Sequence, residues 1–259
     1  MSALAARIAG IGYWSDGLPD WPAARAYATS GELPAEAPGK PAPQLLAPNE
    51  RRRAPPSVLV ALEVALAASR DAGLDPASLP SVFTSTHGDL GITDYMCATL
   101  ASAPGEVSPT KFHNSVHNAA AGYWTIGAGC MHTATAISAH RASFAQGLVE
   151  AMAQLATGAP AVLLAAYDTA AIGLLGTVTR SEGLLGGALV LVREGSGPML
   201  EARLEDGEAG DGDGPLARRG RANAMAPMLP LFDALAAGAA TVALHAGAGR
   251  QLRVDLRHG

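Results

Sequence analysis

Residues 109–129 read PTKFHNSVHNAAAGYWTIGAG, and this stretch decides the fold. It packs two histidines, His113 and His117, two asparagines, Asn114 and Asn118, a run of small residues and the aromatic pair Tyr123 and Trp124 into about two dozen positions. Working outward, an alternating or small-residue segment continues to Ala139. A helix is expected over residues 142–157, with Phe144, Leu148, Met152 and Leu155 on one face and Gly158 as its stop. The apolar run AVLLAA at 161–166 is strand-sized and bounded by Gly158 and Asp168. Upstream, residues 79–86 (LPSVFTST) form a buried strand leading into His87-Gly88-Asp89, and 94–103 a short helix before Pro104.

The rest of the chain follows the same alternation. Residues 4–13 (LAARIAGIGY) read as an opening strand, and residues 14–50, rich in Pro, Ala and Gly, as a long loop. A helix at 57–72 carries Val58, Leu62, Ala65, Leu66 and Ala68 at helical spacing and closes at Gly73. Residues 187–193 and 199–204 resemble a hairpin, and the acidic, glycine-rich 205–221 a second loop. A proline-interrupted helix over 223–238 and strands at 240–246 and 251–256 complete an α/β order, with no short internal repeat.

Composition bounds the function. The 259 residues are 49% hydrophobic and 16% charged, enough to bury a core as one domain spanning 1–259. A net charge of -5 offers no cationic field for nucleic acid or an anionic membrane surface, so small molecules or proteins are the expected partners. Two cysteines make no disulfide framework, the first residues lack a signal-peptide pattern, and no apolar run reaches membrane-spanning length; the expected location is cytoplasmic. Arg51, Arg52 and Arg53 offer a grip for an anionic group such as a carrier-protein phosphopantetheine, although a solvated run at a helix entrance is the commoner explanation.

Phe112, His113, Asn114 and Ser115, followed by Asn118, Ala119, Ala120, Ala121 and Gly122, resemble the loop and helix of β-ketoacyl synthases in which a phenylalanine and an asparagine precede Ala-Ala-Gly. In register with it, the helix at 142–157 is similar to their buried central helix and 161–166 to the following strand. The resemblance spans about residues 80–170, with a weaker match in the first strand. It implies the N-terminal half of the thiolase superfamily fold: an α/β, αβαβα-layered half with a mixed five-stranded sheet and helices on both faces. The short length and FHNSVHNAAAGYW are most similar to chain-length-factor-like subunits of aryl polyene pathways.

Such segments lie at the subunit interface, so the resemblance makes Phe112, His113, Asn114, His117, Asn118, Tyr123 and Trp124 interface or tunnel residues, with Tyr123 and Trp124 as aromatic anchors. It implies a full-length ketosynthase as heterodimer partner, an acyl carrier protein presenting acyl groups on phosphopantetheine, and no further cofactor. In active members a cysteine sits at the N-terminus of the buried helix, where backbone N–H groups and the dipole favour the thiolate. The equivalent elbow here is His140-Arg141-Ala142, without a cysteine; Cys130 lies well upstream. The expectation is a non-catalytic subunit of fatty acid or polyketide chain elongation.

Other chemistries compete with this one. Ser138 and Ser143 flank His140, which suggests a serine-based acyltransferase or hydrolase, although the Gly-x-Ser-x-Gly elbow is missing. His113 and His117 would share one face of a regular helix, with Cys130 and His132 completing a metal site, but the HExxH glutamate is absent and the expectation is no metal. A homodimeric acyl-chain binding protein is a third alternative. Asp89 and Asp94 are expected to be turn or cap residues, and Tyr95, Met96, Cys97 and Leu100 to be core packing.

Overall fold

A computed structural model describes residues 3–258. In chain order its elements are β1 (Leu4–Ser15), α1 (Trp21–Ser30), α2 (Pro48–Arg53), α3 (Pro56–Asp71), β2 (Ser81–Thr84), α4 (Leu90–Ser102), α5 (Pro109–Asn114), α6 (Ala119–Ala128) and β3 (Ala134–Ile137). There follow α7 (Ser143–Ala156), β4 (Ala161–Asp168), β5 (Leu185–Val192), β6 (Met199–Asp206), α8 (Pro215–Gly220), α9 (Leu229–Ala237), β7 (Thr241–Gly247) and β8 (Arg250–Arg257). The strands form one sheet ordered β3-β2-β4-β5-β1-β6-β8-β7, with β3, β2 and β4 parallel and every other pairing antiparallel.

The sheet therefore has eight strands where five were expected. The five follow from the resemblance alone; the strand-by-strand reading gives seven and lacks only β3, and β1, with 12 residues, serves two neighbours. Its later part pairs with β5 from Arg7 to Ser15, and its first residues, Leu4 to Arg7, pair with β6. This extends the sheet through β6, β8 and β7. The expected hairpin of β5 and β6 is overturned for the same reason, because β1 lies between them. The link between them carries Gly195 and Gly197 at positive φ and crosses the first strand, where the Ile8 N–H donates to the Pro198 carbonyl.

Side-chain alternation on the buried β4 sorts two cores. Val162, Leu164 and Ala166 pack with Phe144, Leu148, Met152 and Leu155 of α7 and with Phe232 of α9. Ala161, Leu163, Ala165 and Tyr167 pack with Val58, Leu62 and Ala65 of α3 and with Phe83 and Trp124. Glycines let α3 approach the sheet closely. A Cβ on Gly12 would stand 2.0 Å from the Val64 carbonyl oxygen, and one on Gly10 would stand 2.2 Å from that of Ala68.

Two expected loops contain helices. Within 14–50, α1 forms because Asp20 caps it, accepting the Ala23 N–H at 2.8 Å, and Gly31 ends it in the left-handed region; α2 follows at the far end. Within 205–221, α8 forms because the Asp233 carboxylate, reaching from α9, accepts the Leu216 and Ala217 N–H groups at 2.9 Å each. Neither cap is visible in composition. The expected helix over 223–238 begins as α-helix only at Leu229, preceded by turns at 223–225 and a 3-10 turn at Ala226–Met228. No helix among the described residues is long and apolar enough to cross a membrane.

Candidate functional site

The carboxyl ends of the parallel strands β2, β3 and β4 converge, the usual location of ligand sites in open α/β sheets. After β3 the chain turns through His140 into α7. His140 has φ 52°, the only positive value among the described non-glycine residues, and backbone strain of this kind concentrates at functional turns. The turn is held by Ser143, whose hydroxyl donates to the His140 carbonyl at 2.7 Å and accepts the Ala139 N–H at 2.9 Å. No cysteine stands at His140, Arg141 or Ala142.

Asp168, at the end of β4, is 1% exposed. It accepts the Ser85 hydroxyl at 2.6 Å and the Thr86 N–H at 3.0 Å. Burial raises its pKa, against the lowering effect of these Ser85 and Thr86 hydrogen bonds. His87 follows on the same loop. Burial lowers the pKa of its imidazole, Asp168 works against that, and the nearby His140 and His117 add to it. His117 Nε2 lies 2.9 Å from the Ser85 carbonyl oxygen, so it carries the proton there and donates. Asn223 closes the cluster, donating to the Glu182 carbonyl at 3.0 Å and accepting the Met225 N–H at 2.9 Å.

A cleft of about 730 Å³ opens beside the elbow, with Thr86, His87, His140 and Asn223 among its lining residues. Of these the sequence reading singled out His140 alone. His87, Ser85, Thr86 and Asp168 were passed over, although their positions at strand ends were the available signal. Both serines of the acyl-transfer alternative are bonded to backbone groups. Ser143 is engaged as described, and Ser138 donates to the Thr86 carbonyl at 2.8 Å, so neither hydroxyl is bonded to an imidazole. Cys130 is buried, at the opposite end of β3, with its Sγ 3.4 Å from the Leu79 carbonyl oxygen.

The FHNSVHN segment does not form one helix. α5 stops at Asn114, so His113 and His117 take different partners: His113 stacks edge-on against Tyr123 at 5.9 Å, while His117 turns to Ser85. No group of three or more His, Cys, Asp or Glu among the described residues is arranged to hold a metal ion. On α6, Ala120, Ala121 and Trp124 form the buried face. Trp124 is 0% exposed and lies 6.2 Å from the Phe83 ring, and Asn114 is also buried. These two are core residues, a correction to their expected place at an interface. Helical periodicity turns the indole inward while leaving Ile126 outward.

Of the other expected interface or tunnel residues, His117 is half-buried against Ser85. Phe112, His113 and Asn118 are exposed, and Tyr123 is half-buried. His113, Asn118 and Tyr123 border a groove of about 400 Å³ with Leu46, Val116 and Ile126. Beside them β3 is an edge strand, paired with β2 on one side only. Asp89 caps α4, accepting the Ile92 N–H at 3.0 Å and the Ser57 hydroxyl at 2.8 Å, as the cap reading expects. On α4, Cys97 and Leu100 are exposed and Tyr95 and Met96 only partly covered, so their expected core role does not hold.

The mixed eight-stranded sheet flanked by helices, with buried α7 entered through the turn at His140, matches the thiolase-like ketosynthase fold. The chain belongs to the β-ketoacyl synthase N-terminal domain family, which matches residues 21–250. Solved structures agree on the fold. A chain from the complex of the ketosynthase ApeO with its chain length factor ApeC, from Xenorhabdus doucetiae, superposes with a TM-score of 0.74 at 22% identity, covering 97% of this chain and 99% of that one. The ishigamide ketosynthase/chain length factor gives 0.71 at 15% identity over 98% and 99%. A chain of the type II polyketide AntDE:AntF complex, an acyl-carrier protein with its ketosynthase bound to the hexaketide, gives 0.72 at 12% over 99% and 100%. No curated protein matches the chain by sequence.

Proposed function

We propose that this chain is a non-catalytic, chain-length-factor-type subunit that pairs with an active β-ketoacyl–acyl carrier protein synthase in aryl polyene or related fatty acid or polyketide elongation. The observation that supports the reading is the turn into α7: His140 has a strained backbone bracketed by Ser143, and by the family resemblance it is the position at which an active member carries its acylating thiol. A chain without that nucleophile cannot form the acyl-enzyme of a condensing reaction, so the chemistry belongs to the partner.

The surface supports pairing. Edge strand β3 presents unpaired backbone groups, and Phe112, Ile126 and Met131, near or beside it in the sequence, are 61%, 79% and 96% exposed. The occupant is a cysteine-bearing ketosynthase, and its acyl carrier protein delivers the growing chain. Co-expression with a full ketosynthase encoded in the same gene cluster tests this, using size-exclusion chromatography with mass determination and a condensation assay on malonyl-carrier protein. A one-to-one complex that condenses, beside an isolated chain that does not acylate, is the expected result. A self-associated chain that acylates alone would overturn it.

A further inference from the structure

The cleft beside the elbow is lined by charge. Four arginines, Arg141, Arg180, Arg218 and Arg221, share its walls with three carboxylates, Glu182, Asp211 and Asp213. Arg141 directly follows the strained His140, and its guanidinium is bound by the Asp211 carboxylate. Asp211 comes from the exposed loop between β6 and α8, and it also lies 3.2 Å from His245 Nε2 on β7. Arg180, Arg218 and Arg221 form no ion pair among the described residues; Arg218 donates instead to the Asp213 backbone carbonyl.

The chain therefore places one of its own carboxylates on an arginine at the cleft, beside three further guanidiniums without an acidic partner. We propose that this cleft binds a small organic anion, a carboxylate or phosphate, through Arg141 with Arg180 and Arg221, and that Asp211 occupies the site until the ligand displaces it. The volume of about 730 Å³ suits a small molecule. With Asp211 withdrawn, four guanidiniums face two carboxylates.

The latch is built to yield. Arg141 and Asp211 side chains are 48% and 68% exposed, and ion pairs so solvated hold weakly. The loop has glycines at positive φ on both sides of the aspartate, Gly207 and Gly212, at which the backbone has the freedom to turn. Arginine presents planar paired donors that match carboxylate and phosphate geometry, so the same guanidinium serves either anion. The inference does not depend on pairing with a ketosynthase.

Isothermal titration calorimetry of the full chain with sodium pyrophosphate and, separately, sodium succinate, at constant ionic strength, tests it. At least one anion is expected to bind; which one does identifies the ligand's acidic group. Asp211→Asn removes the internal competitor and is expected to tighten that binding by about threefold to fivefold. Arg141→Ala is expected to weaken it by about tenfold or more. Asp211 lies on an exposed loop, so its variant remains informative if Arg141→Ala fails to fold, and Arg221→Ala then serves as the second loss-of-binding variant. Failure of both anions to bind wild type and Asp211→Asn at millimolar concentration overturns the proposal, as does an Asp211→Asn affinity that is unchanged or weaker.

Discussion

Gly147 lies one turn into α7, just past the elbow, and a methyl group placed there would stand 2.2 Å from Thr84 Cγ2 and 3.0 Å from Leu164 Cδ1. In an open helical position Gly→Ala would stabilise by about 1 kcal/mol. Here overpacking opposes that gain, and an overlap this deep lies toward the upper end of the usual cost of about 1–3 kcal/mol. Gly147→Ala is thus expected to destabilise by about 2 kcal/mol net, through displacement of α7 from β2 and β4. Thr84→Ser deletes the opposing methyl and costs about 1 kcal/mol alone. In the double variant the new methyl occupies the vacated space, so its stability should return to within about 1 kcal/mol of wild type, a coupling of about 2 kcal/mol. Urea unfolding followed by circular dichroism and by fluorescence of the buried Trp14 and Trp124 reads all three. A more stable Gly147→Ala, or a double variant no better than additive, refutes the close approach that seats the elbow.

Three further outcomes follow from the same geometry. His140→Gly relieves the positive φ at an exposed position and should raise stability by about 1 kcal/mol, measured by urea midpoint. Burial raises the Asp168 pKa, so the folded chain keeps a proton that the unfolded chain releases near pH ~3.9. That contribution to stability is greatest below this pH and is lost as pH rises toward the higher folded value; Asp168→Asn should flatten the decline in a series of urea midpoints from pH ~3.5 to 7. Ile126→Glu, on the outward face of α6, should abolish co-purification with the ketosynthase while shifting the midpoint of the isolated chain by less than about 0.5 kcal/mol.

The legible parts of the fold were those written in local pattern. Helix α7 shows its apolar stripe and its Gly158 stop directly in the sequence, and β4 shows an apolar run sized for a strand. Features made by distant partners were hidden. The N-cap of α8 comes from Asp233, which lies beyond the helix it caps, and the separation of β5 from β6 depends on β1, nearly two hundred residues upstream. Nor does β1 advertise that its 12 residues will serve two neighbouring strands, which is why the expected pairing of β5 with β6 does not hold.

The site divides along the same line. The turn into α7 was locatable because the resemblance, registered on Gly158 and the strand after it, points to residues 140–142, where the strained His140 lies. The polar cluster around it was not, because Ser85, His87, Asp168 and Asn223 come from separate segments joined only when β2 and β4 pair and the turn before α9 folds back. Trp124 illustrates the opposite error. Its neighbour Tyr123 and the motif around it lie at a surface, but one step along a helix rotates a side chain by about 100°, and that rotation carries the indole into the α3 core. A motif shared with a family therefore locates the segment, while helical phase decides which of its residues can meet a partner. By that criterion Phe112, Asn118, Tyr123 and Ile126 are placed where a partner can reach them, whereas Asn114 and Trp124 are buried.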